Sequence, residues 1–109
     1  MTVIDIVKRR DMVDIVADGH ANAPRNEDGR DLVCCAISTL MCAAANSLAR
    51  VEGPRVMYHT LPETGHAELM VKGVDNAPGE VWPRVQMLID GLDVLSTQYP
   101  QSIRMTIEN

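Results

Sequence analysis

From Leu32 onward the apolar residues of this chain change period, and that change constrains the fold more than any other feature. Before it, Val3 to Val7 and Met12 to Ala17 are short runs rich in β-branched residues, separated by the charged Lys8-Arg9-Arg10-Asp11, a pattern that predicts a hairpin. After it, Val33, Ala36, Ile37, Leu40, Met41, Ala44 and Leu48 recur at three- and four-residue intervals, the stripe of an amphipathic helix. Small residues crowd this helix (Cys35, Ala36, Cys42, Ala43, Ala44, Ala45), so another element can approach it closely, and Gly53-Pro54 is expected to end it. The rhythm then recurs. Arg55 to Leu61 and Ala67 to Gly73 predict a second hairpin around Pro62-Glu63-Thr64-Gly65, with Ala67, Leu69 and Val71 on a buried face and Glu68, Met70 and Lys72 on a wet one. Asn76-Ala77-Pro78-Gly79 opens a second helix striped by Trp82, Val85, Leu88, Ile89, Leu92 and Leu95, with Pro83 in its first turn and Tyr99-Pro100 as its stop. Ile103, Met105 and Ile107 alternate with Arg104 and Thr106 in a last strand.

The order β-β-α-β-β-α-β predicts an α+β fold, a mixed sheet packed by two helices. With 109 residues the chain is expected to form a single domain, 1–109, long enough to bury a core unaided. Trp82, Tyr58 and Tyr99 are its aromatic residues and Phe is absent, so aliphatic side chains and seven methionines must fill that core.

A net charge of -5 and a pI near 5.0 argue against direct nucleic-acid binding, which calls for a basic stripe, and suit a basic protein partner. Lys8-Arg9-Arg10 reads as a solvated turn. No run reaches the roughly 18 apolar residues of a membrane span. The three cysteines, Cys34, Cys35 and Cys42, crowd one predicted helix, which favours reduced thiols and a cytoplasmic location. They form no metal-ligand spacing with His59 and His66, and no glycine-rich phosphate loop occurs, so neither a metal nor a cofactor is expected. Cys42 is expected to be buried as a small apolar residue.

Residues 18 to 30 lose all hydrophobic pattern and predict a polar loop between a histidine at the end of the second strand and a cysteine near the start of the first helix. Asp31 is a candidate N-cap, its side chain accepting the Cys34 backbone N–H. Cys34 then lies in the first turn, beside unpaired amides and the positive end of the helix dipole, where a thiolate is favoured. Ser38 follows on the same helical face. His20 is the candidate base, Gly19 before it permits unusual backbone geometry, and Asp18 or Asp31 could orient the imidazole.

Gly19-His20-Ala21 followed by Gly29-x-Asp31-Leu32-Val33-Cys34-x-Ala36-Ile37-Ser38 resembles the signature of the ribosomal-processing cysteine protease family Prp. The element order fits that family too. The resemblance implies a small cytoplasmic endopeptidase, usually a homodimer, that removes a short N-terminal extension from large-subunit ribosomal protein twenty-seven during ribosome maturation. Its histidine falls on His20 and its nucleophile on Cys34, with the accompanying glycine, aspartate and serine on Gly29, Asp31 and Ser38. Two features depart from the family pattern: Cys34-Cys35 stands where Cys-Ala is common, and the segment between His20 and Cys34 is longer than usual. In the protease reading the helix N-terminus stabilises the oxyanion through backbone N–H groups near Cys34, and residues 21 to 30 act as a gate. The competing reading is a non-catalytic module that binds a ribosomal or other basic protein.

Overall fold

The computed structural model describes residues 1–20 and 31–109. Its elements follow the expected order: β1 (Thr2–Lys8), β2 (Met12–Asp18), α1 (Leu32–Leu48), β3 (Arg55–Leu61), β4 (His66–Lys72), α2 (Pro78–Gln98) and β5 (Ile103–Glu108). The five strands form one sheet in the order β3-β4-β2-β1-β5. All neighbouring pairs are antiparallel except β1 with β5, whose connection is long enough to return a strand in parallel.

Alternation decides which face of the sheet is covered. Ile4, Ile6, Val13, Ile15, Ala17, Leu69, Val71 and Ile103 point to one side and are buried against Val33, Ile37, Met41 and Leu48 of α1 and Val81, Val85, Leu88 and Leu92 of α2. The registers Ile4↔Ala17, Ile15↔Leu69 and Tyr58↔Leu69 carry this apolar row across the sheet. The result is two layers, with α1 packed over β3 and β4 and α2 over β5. The helices meet closely at Gly91, where an added Cβ would lie 3.1 Å from a Leu40 methyl.

Three local expectations are corrected. α1 stops at Leu48, ahead of Gly53-Pro54, because the chain turns under it: Ala49, Arg50 and Val51 donate to Ala45, Ser47 and Leu48, and Val51 enters the core. β4 ends at Lys72, since Gly73 takes a left-handed conformation (φ 76°) and starts a 3-10 turn over Val74–Asn76, which the sequence pattern did not announce. α2 begins at Pro78, so Pro83 lies in its second turn and withholds the N–H that the Gly79 carbonyl would otherwise receive. No helix among the described residues is long and apolar enough to cross a membrane.

The other face of the sheet carries no helix among the described residues. On it Asp14 stands opposite Met70 and Val7, one pair away from Glu68. Burial, followed by hydrogen bonding and repulsion from the Glu68 carboxyl, pushes the Asp14 carboxyl up to about 6 from 3.8. A carboxyl that binds its proton more tightly when folded stabilises the fold fully below pH 3.8 and loses that contribution as pH rises through about 6. Asp14→Asn, which does not ionise, is therefore expected to raise the urea midpoint at pH 8 and leave it nearly unchanged at pH 4. Equal shifts at the two pH values would contradict this account.

Candidate active site

The polar end of the cleft begins with the cap of α1. Asp31 has extended backbone geometry, and its Oδ1 accepts from the Val33 and Cys34 amides, each at 3.1 Å. Its carbonyl accepts from Cys35 at 3.1 Å. The cap therefore fixes where the helix starts and sets Cys34 in its first turn. Because the buried stripe is Val33-Ile37-Met41, a step of one residue rotates Cys34, and with it Ser38 and Cys42, off the core and onto a flank of the helix. Cys34 is half-buried there, whereas Cys42 is exposed, which corrects the expectation that it fills the core.

His20 and the Gly19 backbone before it are held by the chain start and by the β3–β4 turn. At Gly19 the backbone takes φ +91°, and an added Cβ would lie 2.7 Å from the Met1 carbonyl oxygen. The buried Thr2 donates its hydroxyl to the Gly19 carbonyl at 2.9 Å. Gly65, in the turn between β3 and β4, has φ +69°, and a Cβ there would come within 2.9 Å of the Gly19 carbonyl and 3.1 Å of the His20 nitrogen. Finally, His20 Nε2 lies 3.2 Å from the Glu63 carbonyl. A carbonyl can only accept, so this contact puts the proton on Nε2 and leaves Nδ1 as the basic nitrogen.

These pieces converge on one cleft of about 470 Å³. Cys34, Ser38, Ile37 and Cys42 of α1 line it, together with Gly19, His20, Thr2 and Ala17 on one side and Tyr58, Thr60 and Ala67 on the other. Burial, with Cys42 nearby, raises the Tyr58 phenol above its ordinary value. Gly29 and the suggested gate, residues 21 to 30, lie outside the described residues.

The two candidate orienting carboxylates have partners of their own among the described residues. Asp18 pairs with His66, Oδ1 to Nδ1 at 3.1 Å, and Asp31 caps the helix. His66 and Tyr58 at the cleft were not singled out as site residues by the sequence. The alternation of β3 and β4 carries their position only once the strand order is known.

A family model described as cysteine protease Prp matches residues 1–104. The ribosomal processing cysteine protease Prp of two Staphylococcus aureus strains is 24% identical over 107 residues, 96% of this chain and 97% of the relative. A crystal structure of the essential ribosomal processing protease Prp from S. aureus with a covalently linked product peptide superimposes with a TM-score of 0.78 at 24% identity, covering 99% of this chain and 100% of that one. The same protease with a substrate peptide gives 0.75 at 23% identity over 99% and 100% of the two chains. A Streptococcus mutans protein gives 0.73 at 21% identity over 99% and 94%.

Gly65→Ala is expected to cost more than about 1 kcal/mol of stability, since it adds a side chain at positive φ against a carbonyl. Asp31→Ala is expected to cost about 0.5–2 kcal/mol by loss of the cap, with Asp31→Asn recovering most of it. Urea denaturation measures both, and a neutral Gly65→Ala would show that the turn does not press on the His20 backbone.

Proposed function

Because the chain belongs to the cysteine protease Prp family, we propose that it removes the N-terminal extension of large-subunit ribosomal protein twenty-seven, with Cys34 as nucleophile and His20 as base. The observation that carries this reading is the shared cleft of Cys34 and His20, one on the capped first turn of α1 and the other latched by the β3–β4 turn. Further support comes from the S. aureus Prp structures with substrate and product peptides, which have the same fold.

In this mechanism His20 Nδ1 takes the Cys34 proton, and the thiolate attacks the scissile carbonyl. The imidazolium then gives its proton to the leaving amine, and water releases the acyl group. A thiolate near a helix N-terminus needs less assistance than a hydroxyl, so the reading requires no third group on His20. The enzyme acts without cofactor or metal, in the cytoplasm, as a homodimer. Its acidic surface suits a basic ribosomal precursor.

The backbone N–H groups expected to hold the oxyanion near Cys34 have a competitor in the helix cap. The Val33, Cys34 and Cys35 amides are committed to Asp31, so cap and oxyanion hole compete for the same N–H groups. Ser38, exposed one helical turn beyond Cys34 in the same cleft, offers a hydroxyl that can donate to the developing charge.

Intact-mass analysis of the extended precursor tests the assignment. Wild type and Cys35→Ala are expected to cut it and Cys34→Ala to leave it whole. Cleavage by Cys34→Ala but not Cys35→Ala would move the nucleophile by one residue, and an uncut precursor with wild type would remove the substrate. His20→Ala is expected to lower kcat roughly 10²–10⁴-fold. Iodoacetamide labelling of Cys34 against pH should show a low thiol pKa that this variant loses. Equal, slow labelling of all three cysteines would favour the non-catalytic binding module. Ser38→Ala is expected to lower kcat roughly 10²–10³-fold with little change in KM, and unchanged kcat would exclude its hydroxyl as the donor.

A further inference from the structure

Among the described residues β3 is an outer strand of the sheet, bonded to β4 on one side, with no strand beside it on the other. Edge strands usually carry a device against further pairing: brevity, a proline, a bulge or an inward charge. β3 has none of these. Its seven residues contain no proline, and its pairing with β4 runs unbroken from Arg55↔Lys72 to Leu61↔His66. Its permanent charge, Arg55, sits at the end, and Met57 and Leu61 stand 41% and 44% exposed.

This edge borders the cleft. Tyr58 and Thr60 line it opposite Cys34, Ser38 and Cys42, whereas no residue of β5, the other outer strand, does so. A long regular edge left open along the same cleft as Cys34 suits an extended peptide.

We propose that the substrate binds as an added strand along the open edge of β3, with its backbone paired to that strand and alternate side chains turned into the cleft. The proposal rests on the protease reading above and specifies how that site takes its substrate. Main-chain bonds supply affinity with little regard to sequence, and the side chains directed inward meet Ile37, Cys42, Tyr58 and Ala67. The edge thus selects a segment that is extended, free of proline over several residues and apolar at every second position. A second copy of the chain pairing β3 to β3 would occupy the same edge and exclude the peptide.

The test uses a synthetic peptide spanning the precursor junction. With Cys34→Ala protein, amide exchange at alternate residues of 55–61 is expected to slow roughly tenfold or more when the peptide binds, the scale of a bond gained at each. With wild type, N-methylation at every second residue of the peptide is expected to lower kcat/KM by a similar factor, and the intervening positions to tolerate it. Cleavage without alternation, together with unchanged exchange in β3, would overturn strand addition and leave the protease reading intact. Protection of β3 without peptide, in a protein that sediments as a dimer, would assign the edge to a second copy instead. A peptide neither bound nor cut would remove the protease reading and this proposal with it.

Discussion

One buried face must serve the whole molecule. The sheet has a single apolar surface, and both helices are spent covering it with aliphatic side chains such as Ile4, Ile15, Leu69, Met41 and Leu92, each essentially inaccessible. Burial of this kind is the main favourable term in folding a chain of this size. It also fixes the rotation of α1. Once Val33, Ile37 and Met41 point at the sheet, the neighbouring row Cys34, Ser38 and Cys42 has no freedom of its own and must face the cleft. The placement of Cys34 is thus a by-product of core packing, one residue out of phase with it.

The same economy governs the polar end of the helix. A first turn offers few unpaired amides, and Asp31 takes those of Val33 and Cys34 directly while its carbonyl holds Cys35. A carboxylate at this position steadies the helix, but it also adds negative charge close to the thiol. The helix terminus and its cap therefore act on Cys34 in opposite senses, which in the proposed mechanism gives a basic histidine a definite task. The Glu63 carbonyl leaves Nδ1 of His20 as its basic nitrogen for that task.

Much of this was legible in the sequence because it is local. Strand alternation, the stripe from Val33 to Leu48, and an aspartate three residues ahead of Cys34 all act within a turn or two of chain. The fold order, the cap and the candidate pair follow from them, helped by the family signature around His20 and Cys34. What stayed hidden depends on contacts between distant segments. Cys42 is small and apolar and so suits a core, yet its exposure depends on which flank of α1 meets the sheet. Gly53-Pro54 is the local stop signal for α1, although packing of Val51 closes the helix earlier. The pairing of Asp18 with His66 and the open edge of β3 required the strand order, which periodicity alone does not contain.

The turn between β3 and β4 gives the molecule an unusual intolerance. Hairpin tips are ordinarily where chains accept inserted residues, because nothing depends on their shape. Here Gly65 abuts the Gly19–His20 backbone and the Glu63 carbonyl meets the imidazole, so the tip behaves as a keystone of the cleft. Drift in loop length is therefore closed to this hairpin, and variation that preserves the site has to enter elsewhere. The 3-10 turn over Val74–Asn76 and the chain after α2 touch neither His20 nor Cys34 and are freer to change.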